Sequence, residues 1–329
     1  MTTAKTSLLL ASVLLAFRFL SLAQTAPNQS SRCLLVNVLD RNGSAVRTLT
    51  KDNFRAKVNG HPAAVVETDY SLAPRRIVLL LDISGSMAGG TEKNKKWQIA
   101  REALEDLIAE TPADVKVALL TFSSQVHDVF DFSQSRSSIA AWLKEEPRRR
   151  AEIKGRTALY DAVLAATKLL EPTRSGDAIY IITDGGDNSS QISETGIRKL
   201  LLQSRIRLFV FLLAEQSPFQ PEESRRDYLM ELSRATGGFV FGVAGHAAGA
   251  SFLPSWDFEY DYNERTREKI RLYTQVLNIQ VNGFYTLQLE AHLQPNKLRK
   301  VSLEIVDGRG QPRKDIAFTY STLLPPQPK

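Results

Sequence analysis

Oxygen-bearing side chains follow a buried strand at three alternate positions near residue 80. The stretch LLLDISGSM, residues 79–87, runs from apolar residues into Asp82, Ser84 and Ser86. In an open α/β sheet, ligands bind beyond the carboxyl ends of the strands, where we expect these side chains to lie. Carboxylate, hydroxyl and water oxygens are hard ligands that suit Mg²⁺ or Mn²⁺ in octahedral geometry. The stretch therefore predicts a divalent-cation site.

Two later segments place further oxygen side chains at the same predicted edge. A helix begins with Thr157 in KGRTALYDA, and an apolar strand ends with Asp184 in IITDGGD. None of the three segments contains a His or Cys that would favour zinc. The alternative is that Asp82 and the two serines only cap the turn into the next helix, where Asp and Ser are favoured for backbone hydrogen bonding. Five oxygen residues at three matched places favour the metal site.

Strands that alternate with helical patterns carry these side chains between residues 75 and 243. Near-continuous apolar runs, typical of strands covered on both faces, are RRIVLLLDIS, VKVALLTFSS, DAIYIITDG and RLFVFLLAE. One helical stripe is formed by Trp97, Ala100, Leu104, Leu107 and Ile108. Further helices are predicted in TALYDAVLAATKLL and in RRDYLMELSRAT. This pattern predicts an α/β domain with a doubly wound, mostly parallel sheet.

Short strand patterns flank this domain on both sides. Residues 33–70 contain several, with Asn59-Gly60 as a hairpin signal. After residue 251, a helical NERTREKIRLYTQVLN precedes the strand patterns FYTLQLEAHL, KLRKVSLEIVD and KDIAFTYS. Each β segment, of about 40 or about 50 residues, is near the size at which a core of its own is marginal. We therefore expect the two to pack together as one β-sandwich-like module, with two separate small modules as the alternative.

The predicted organisation has four parts. They are a signal peptide over residues 1–23, an N-terminal β segment over 30–74, the α/β domain over 75–245, and a linker, helix and C-terminal β segment over 246–329. The leader has a cationic Lys5, an apolar stretch and a small-residue cleavage site near Ala23. A buried helix of the mature fold is the alternative. Arg18 interrupts the apolar run and no later segment is apolar enough to span a bilayer, so we expect a secreted or periplasmic, cell-envelope protein without a membrane span.

Charge and cysteine content narrow the partner class. The formal net charge is +6, and loss of Lys5 and Arg18 with the signal would leave about +4. No basic stripe with interleaved aromatic residues is visible, so nucleic acid is not an expected partner. Cys33 is the single cysteine and cannot form an internal disulfide. We expect it to be an ordinary strand residue, with an intermolecular disulfide as the alternative.

Three of these stretches, DISGSM, GRTALYDAV and IITDGGDN, resemble in order the parts of the metal-ion-dependent adhesion site of the von Willebrand factor type A domain. The resemblance covers roughly residues 75–245, with LMELSRATGGFVF similar to the last helix and strand of that family. The whole layout resembles a secreted bacterial, acidobacterial-type subfamily. The resemblance implies that Ser84, Ser86 and Thr157 touch the metal directly, while Asp82 and Asp184 hold it largely through water. We do not expect Asp187, in the same loop, to be a ligand.

The function that the resemblance implies is capture of a partner carboxylate at the free coordination position of the metal. We therefore expect an exported, non-enzymatic module that binds a protein ligand through an acidic residue, in adhesion or assembly. The alternatives are a structural scaffold with a silent metal site, or a metal-assisted hydrolase, against which no general base or Gly-x-Ser-x-Gly motif is found near the rim.

Two surface segments are candidates for contacting that ligand. Arg150 and Arg156 lie in a basic loop ahead of Thr157 that we expect to attract it, with an ordinary solvated loop as the alternative. The aromatic and acidic stretch over residues 255–264 is expected to pack against the neighbouring domain, with a recognition loop as the alternative.

Overall fold

The strands of the chain divide between two sheets. The structure is a computed structural model that describes residues 32–72, 75–88, 96–145, 153–213, 223–242, 264–290 and 298–325. The predicted signal peptide, Arg150, and residues 255–263 of the aromatic and acidic stretch lie outside the described residues. Among the described helices, none is both long enough and apolar enough to cross a membrane.

The central sheet has six strands in the order β6-β5-β4-β7-β8-β9. Their bounds are β4 Arg76–Asp82, β5 Lys116–Phe122, β6 Val126–Phe130, β7 Ala178–Thr183, β8 Arg207–Leu212 and β9 Val240–Gly242. All neighbouring pairs are parallel except β5 and β6, which are antiparallel. Every residue of β4, β7 and β8 is buried, which explains the near-continuous apolar runs in their sequences.

Helices cover both faces of this sheet, as a doubly wound fold requires. Their bounds are α1 Lys96–Glu110, α2 Arg136–Lys144, α3 Leu159–Leu169, α4 Glu194–Ser204, α5 Glu223–Thr236 and α6 Glu264–Asn282. One apolar core contains α1, α2 and α6, and the core on the opposite face contains α3, α4 and α5. All five residues of the stripe predicted on α1 are buried. The prediction of a doubly wound α/β fold is therefore confirmed.

The second sheet combines strands from both ends of the chain. Its order is β12-β1-β10-β3-β2-β11-β13. The bounds are β1 Arg32–Asp40, β2 Phe54–Val58, β3 His61–Ser71, β10 Phe284–Glu290, β11 Arg299–Ile305, β12 Ile316–Tyr320 and β13 Leu323–Leu324. Because β10 lies between β1 and β3, neither segment completes the sheet without the other. The predicted module from both segments is confirmed, as one curled antiparallel sheet around a single apolar core.

Local signals explain two features of this arrangement. Asn59 and Gly60 have φ angles of 51° and 83°, as the tight hairpin between β2 and β3 requires. The C-terminal part of α6 packs in the core of the α/β domain and leads through Gly283 into β10. Helix α6 and strand β10 therefore contribute to two cores, the one that contains α1 and the one of the antiparallel sheet.

Candidate metal centre

Three loops meet at the carboxyl end of the central sheet. The loop after β4 is tied to the loop before α3, because the Gly85 N–H donates to the Gly155 carbonyl at 3.0 Å and the Lys154 N–H donates to the Ile83 carbonyl at 3.0 Å. The left-handed φ of 93° at Gly155 favours glycine at this crossing. Backbone bonding thus fixes the first two predicted parts of the site against each other.

Asp82, the last residue of β4, is fully buried and held by two donors. The Ser84 N–H donates to Asp82 Oδ1 at 2.8 Å, and the Thr183 hydroxyl donates to Asp82 Oδ2 at 2.6 Å. Burial is the main cause that raises the pKa of the Asp82 carboxyl to about 6, and the charge of nearby Asp184 is the second cause. A cation at this end of the sheet would favour ionised Asp82.

Oxygens of Ser84, Ser86 and Asp184 form a continuous chain beside Asp82. The two serine hydroxyl oxygens are 3.1 Å apart, and the Ser86 hydroxyl donates to Asp184 Oδ1 at 2.9 Å. Neighbouring ligands of an octahedral Mg²⁺, each about 2.1 Å from the ion, are about 3.0 Å from each other. These oxygen spacings and the hard donor set fit Mg²⁺ or Mn²⁺. Among the described residues no group of three or more His, Cys, Asp or Glu side chains forms a metal site, so the fit depends on the hydroxyls.

Thr157 is joined to the same end of the sheet through its backbone. Its N–H donates to Asn188 Oδ1 at 2.9 Å, and the Asn188 N–H donates to the Thr157 carbonyl at 3.0 Å. The next N–H, of Ala158, donates to the Ser123 carbonyl at 2.7 Å. Thr157 is buried between the loops that follow β5 and β7, so all five predicted metal residues lie at one end of the sheet.

The structure places the predicted partner-binding and non-ligand residues at the edge of the centre. Arg156 is exposed, and its guanidinium donates to the Asn188 carbonyl. Asp187 Oδ1 accepts from the Ser190 hydroxyl and from the Tyr160 N–H, so it fastens the loop after β7.

Lys96, the first residue of α1, is a member of the centre that the sequence did not reveal. Its ammonium donates to Asp184 Oδ2 at 2.8 Å and to the Ser86 carbonyl at 3.2 Å, and only 6% of its side chain is exposed. The sequence signal for Lys96 was only its place in a lysine-rich segment before the α1 stripe, and such segments are usually exposed to solvent.

Ser123 and His127 form a second contact that sequence patterns did not reveal. Ser123 Oγ lies 2.6 Å from His127 Nε2. The two residues belong to the short connection and strand after β5, where a spacing of four carries no recognised signal.

The candidate centre lies in a doubly wound α/β domain that carries hydroxyls and carboxylates on three loops at one end of its sheet. The sequence model of the von Willebrand factor type A domain matches residues 77–186. The chain therefore contains a von Willebrand factor type A domain. None of the curated proteins matches it.

Several solved structures resemble this chain. An aerotolerance-related membrane protein from Bacteroides fragilis has 17% identity and a TM-score of 0.43, with 63% of this chain and 98% of that chain covered. BatB from Bacteroides thetaiotaomicron has 16% identity and a TM-score of 0.44, with 62% and 98% covered. A von Willebrand factor type A protein from Catenulispora acidiphila has 13% identity and a TM-score of 0.43, with 88% and 74% covered. At these values the family assignment depends on the sequence match alone.

Proposed function

We propose that this protein is an exported, metal-dependent binding module that captures a carboxylate of a protein partner. Von Willebrand factor type A domains are often involved in protein–protein interaction or adhesion, and the proposal specifies the means. Mg²⁺ or Mn²⁺ would be held by Asp82, Ser84, Ser86, Thr157 and Asp184. Export to the cell envelope, for adhesion or assembly there, follows from the leader-like residues 1–23.

The observation that carries the proposal is the chain of oxygens from Ser84 through Ser86 to Asp184. The 3.1 Å between the two serine hydroxyl oxygens matches neighbouring corners of an octahedral ion, and the 2.9 Å bond from Ser86 holds Asp184 Oδ1 beside them. Two of the three groups are neutral hydroxyls, which neutralise little of the charge of a divalent cation. When bound, the ion would offer an electron-poor, free coordination position to an incoming carboxylate.

Exposure around the centre favours a partner that approaches from solvent. Ser86 and Gly85 are exposed, whereas Asp82 and Ser84 beneath them are buried. The exposed side chains of Lys154 and Arg156 add positive charge beside this opening. Positive charge around a site raises the rate at which acidic ligands reach it.

The Ser123–His127 pair does not make the centre a hydrolase. A nucleophilic serine must reach its substrate, yet only 3% of Ser123 is exposed. Its N–H donates to the Gln125 carbonyl and its own carbonyl accepts from Ala158, which fastens the turn after β5 to the loop that carries Thr157. We assign these residues to support of the binding centre and propose no catalytic residue.

The proposal is tested by measuring Mn²⁺ binding through the relaxation rate of water protons. A bound Mn²⁺ with a free position exchanges water and raises the relaxation rate. Acetate should lower that rate by replacing the water, whereas acetamide, which has a similar shape without the charge, should not. Ser84→Ala removes one hydroxyl of the oxygen chain and should weaken Mn²⁺ binding at least tenfold, about 1.4 kcal/mol.

Ser124→Ala is the matched control, because Ser124 is an exposed hydroxyl in the turn after β5. It should bind Mn²⁺ as the wild type does. If the wild type binds no Mn²⁺ at millimolar concentration, the metal-dependent function is wrong and the structural scaffold replaces it. If Mn²⁺ binds but acetate and acetamide act alike, carboxylate capture is wrong.

A further inference from the structure

The ammonium of Lys96 pairs with Asp184, a carboxylate that is predicted to hold the metal. The Lys96 ammonium is 2.8 Å from Asp184 Oδ2, and the Ser86 hydroxyl occupies the other oxygen, Oδ1. The ammonium also reaches the Ser86 carbonyl at 3.2 Å. Asp184 and Ser86, two partners of Lys96 among the described residues, therefore belong to the loops of the candidate metal centre.

The position of Lys96 in α1 is unfavourable for the helix alone. Lys96 is the first residue of α1, where the helix dipole presents positive charge and favours Asp or Glu. It is also buried, which disfavours a cation unless it is paired. Because Trp97 and Ala100 anchor the same turn in the core, the stem of Lys96 starts from a fixed point beside the centre. Pairing with Asp184 compensates for both costs.

We infer that Lys96 is a built-in counter-charge that sets the affinity of the centre for divalent cations. The inference builds on the metal-dependent function proposed above. Asp82 and Asp184 bring two carboxyl groups to the centre, and the Lys96 ammonium pairs with one of them. With Lys96 in place, the centre stays assembled without metal and binds metal weakly. A divalent cation must share Asp184 with the ammonium or displace it into solvent.

The consequence is a centre that fills only at high metal concentration. Like charges repel strongly where the surroundings exclude water, so removal of the ammonium should strengthen metal binding. A purely structural ion pair would leave the affinity for metal unchanged. The two roles of Lys96 are therefore separable by a binding measurement.

Calorimetric titration of the purified chain with Mn²⁺ and with Mg²⁺ tests the inference. Lys96→Met keeps the apolar stem and removes the charge, and it should lower the Kd for Mn²⁺ at least tenfold. Lys116→Met is the matched control, since Lys116 is an exposed lysine at the start of β5, at the opposite end of the sheet from the centre, and its Kd should equal that of the wild type. Circular dichroism in chelator verifies that each variant is folded.

Thermal unfolding supplies a second measurement. In chelator, Lys96→Met should melt below the wild type because Asp184 has lost its cation, and Mn²⁺ should raise its Tm more than that of the wild type. If Lys96→Met and the wild type bind Mn²⁺ with the same Kd, the inference is wrong while the metal site stands. If neither protein binds Mn²⁺, both the inference and the proposed function are wrong.

Discussion

The buried charges at the two ends of the central sheet differ in net sign and in the groups that pair with them. At the amino end, β4 and β8 begin with Arg76 and Arg207, and β7 is preceded by Asp177. At the carboxyl end, β4 ends in Asp82 and β7 is followed by Asp184. The amino end thus carries the buried Arg76 and Arg207 with one carboxylate, and the carboxyl end carries two buried carboxylates with one lysine.

Protein groups pair with most of the charged nitrogens of Arg76 and Arg207 at the amino end. Arg76 Nη2 donates to Asp177 Oδ2 at 2.6 Å and Arg76 Nε donates to Oδ1 at 3.1 Å, a bidentate pair. The Arg207 guanidinium donates to the carbonyls of Gln280, Gly176 and Val281. These acceptors are backbone carbonyls and one carboxylate that the fold holds in place.

Arg207 also joins the central sheet to the antiparallel sheet. Its Nη1 lies 3.2 Å from Asn37 Oδ1 of β1, and its guanidinium lies 4.5 Å from the ring centre of Phe284 in β10. Burial lowers the pKa of Arg207 to about 9, with repulsion from Arg75 as a further cause. The amino end is therefore a structural junction.

At the carboxyl end, the buried carboxylate of Asp184 is paired with a hydroxyl and a lysine, which a bound cation would replace under the proposed function. Asp184 accepts one hydrogen bond from the Ser86 hydroxyl and one from the Lys96 ammonium, and neither contact is bidentate. Hydroxyl oxygens can also accept or coordinate, which guanidinium groups cannot do. Under the proposed function, buried charge at the end of a sheet is structural where its partners are fixed and binds a ligand where its partners can be replaced.

The largest expected effect is at the amino end. Asp177→Asn should lower the free energy of unfolding by about 3 to 5 kcal/mol, because it leaves the buried Arg76 without its counter-charge. Urea unfolding measures this loss, and metal should not restore it. Glu171→Gln, a change of the same kind at an exposed position, should stay within about 0.5 kcal/mol of the wild type. A loss below about 1 kcal/mol for Asp177→Asn would contradict a structural role of this end.

The next largest effect concerns Asp184, which follows β7, and separates it from Asp187 in the same loop. Mn²⁺ at about 100 times its Kd should stabilise the wild type by about 2.7 kcal/mol. Asp184→Asn should abolish this gain, and Asp187→Asn should keep it, since Asp187 only fastens the loop. Thermal unfolding with chelator and then with Mn²⁺ measures all three. If Mn²⁺ stabilised Asp184→Asn as much as the wild type, Asp184 would not be a metal-binding residue.

A smaller effect follows from Asp82 and depends on pH. Its pKa of about 6 in the native state is above the usual 3.8, so the native state holds this proton more tightly than the unfolded state. The stabilisation is fully present below pH 3.8 and is lost as pH rises through 6. In chelator, the wild type should lose about 1 to 1.5 kcal/mol relative to Asp82→Asn between pH 5 and pH 7.5. Parallel curves of stability against pH for the two proteins would contradict it.

The smallest effect on stability is expected at the surface near the metal centre. Arg156→Glu should change the free energy of unfolding by less than about 0.5 kcal/mol. With Mn²⁺ present, it should slow association with a labelled peptide that carries two Glu residues, most strongly at low salt. Arg174→Glu, an exposed arginine at the amino end, is the control and should not slow association. Equal rates for Arg156→Glu and the wild type at every salt concentration would exclude steering by Arg156.

Much of the fold could be predicted because its signals are local. Strands such as β7 are apolar at every position, so they indicated a sheet covered on both faces, and the α1 stripe indicated a helix with one buried side. Asp82 and Asp184 could be assigned to one end of the sheet because parallel strands end together there. Lys96 could not be assigned, since its contact with Asp184 spans 88 residues of sequence.

The sequence by itself determined four of the six described α-helices, most strands of the two sheets, and which oxygens stand at the carboxyl end of the central sheet, whereas α2, α4 and β6 were not predicted. These features follow from side-chain periodicity and from the direction of parallel strands, which a single segment can specify. Only the tertiary structure decided that β10 enters between β1 and β3, that Arg207 joins the two sheets, and that Lys96 reaches Asp184. The physical reason is that such contacts depend on strand order and helix docking, which are settled by packing of the whole chain and leave no periodic signal in any one segment.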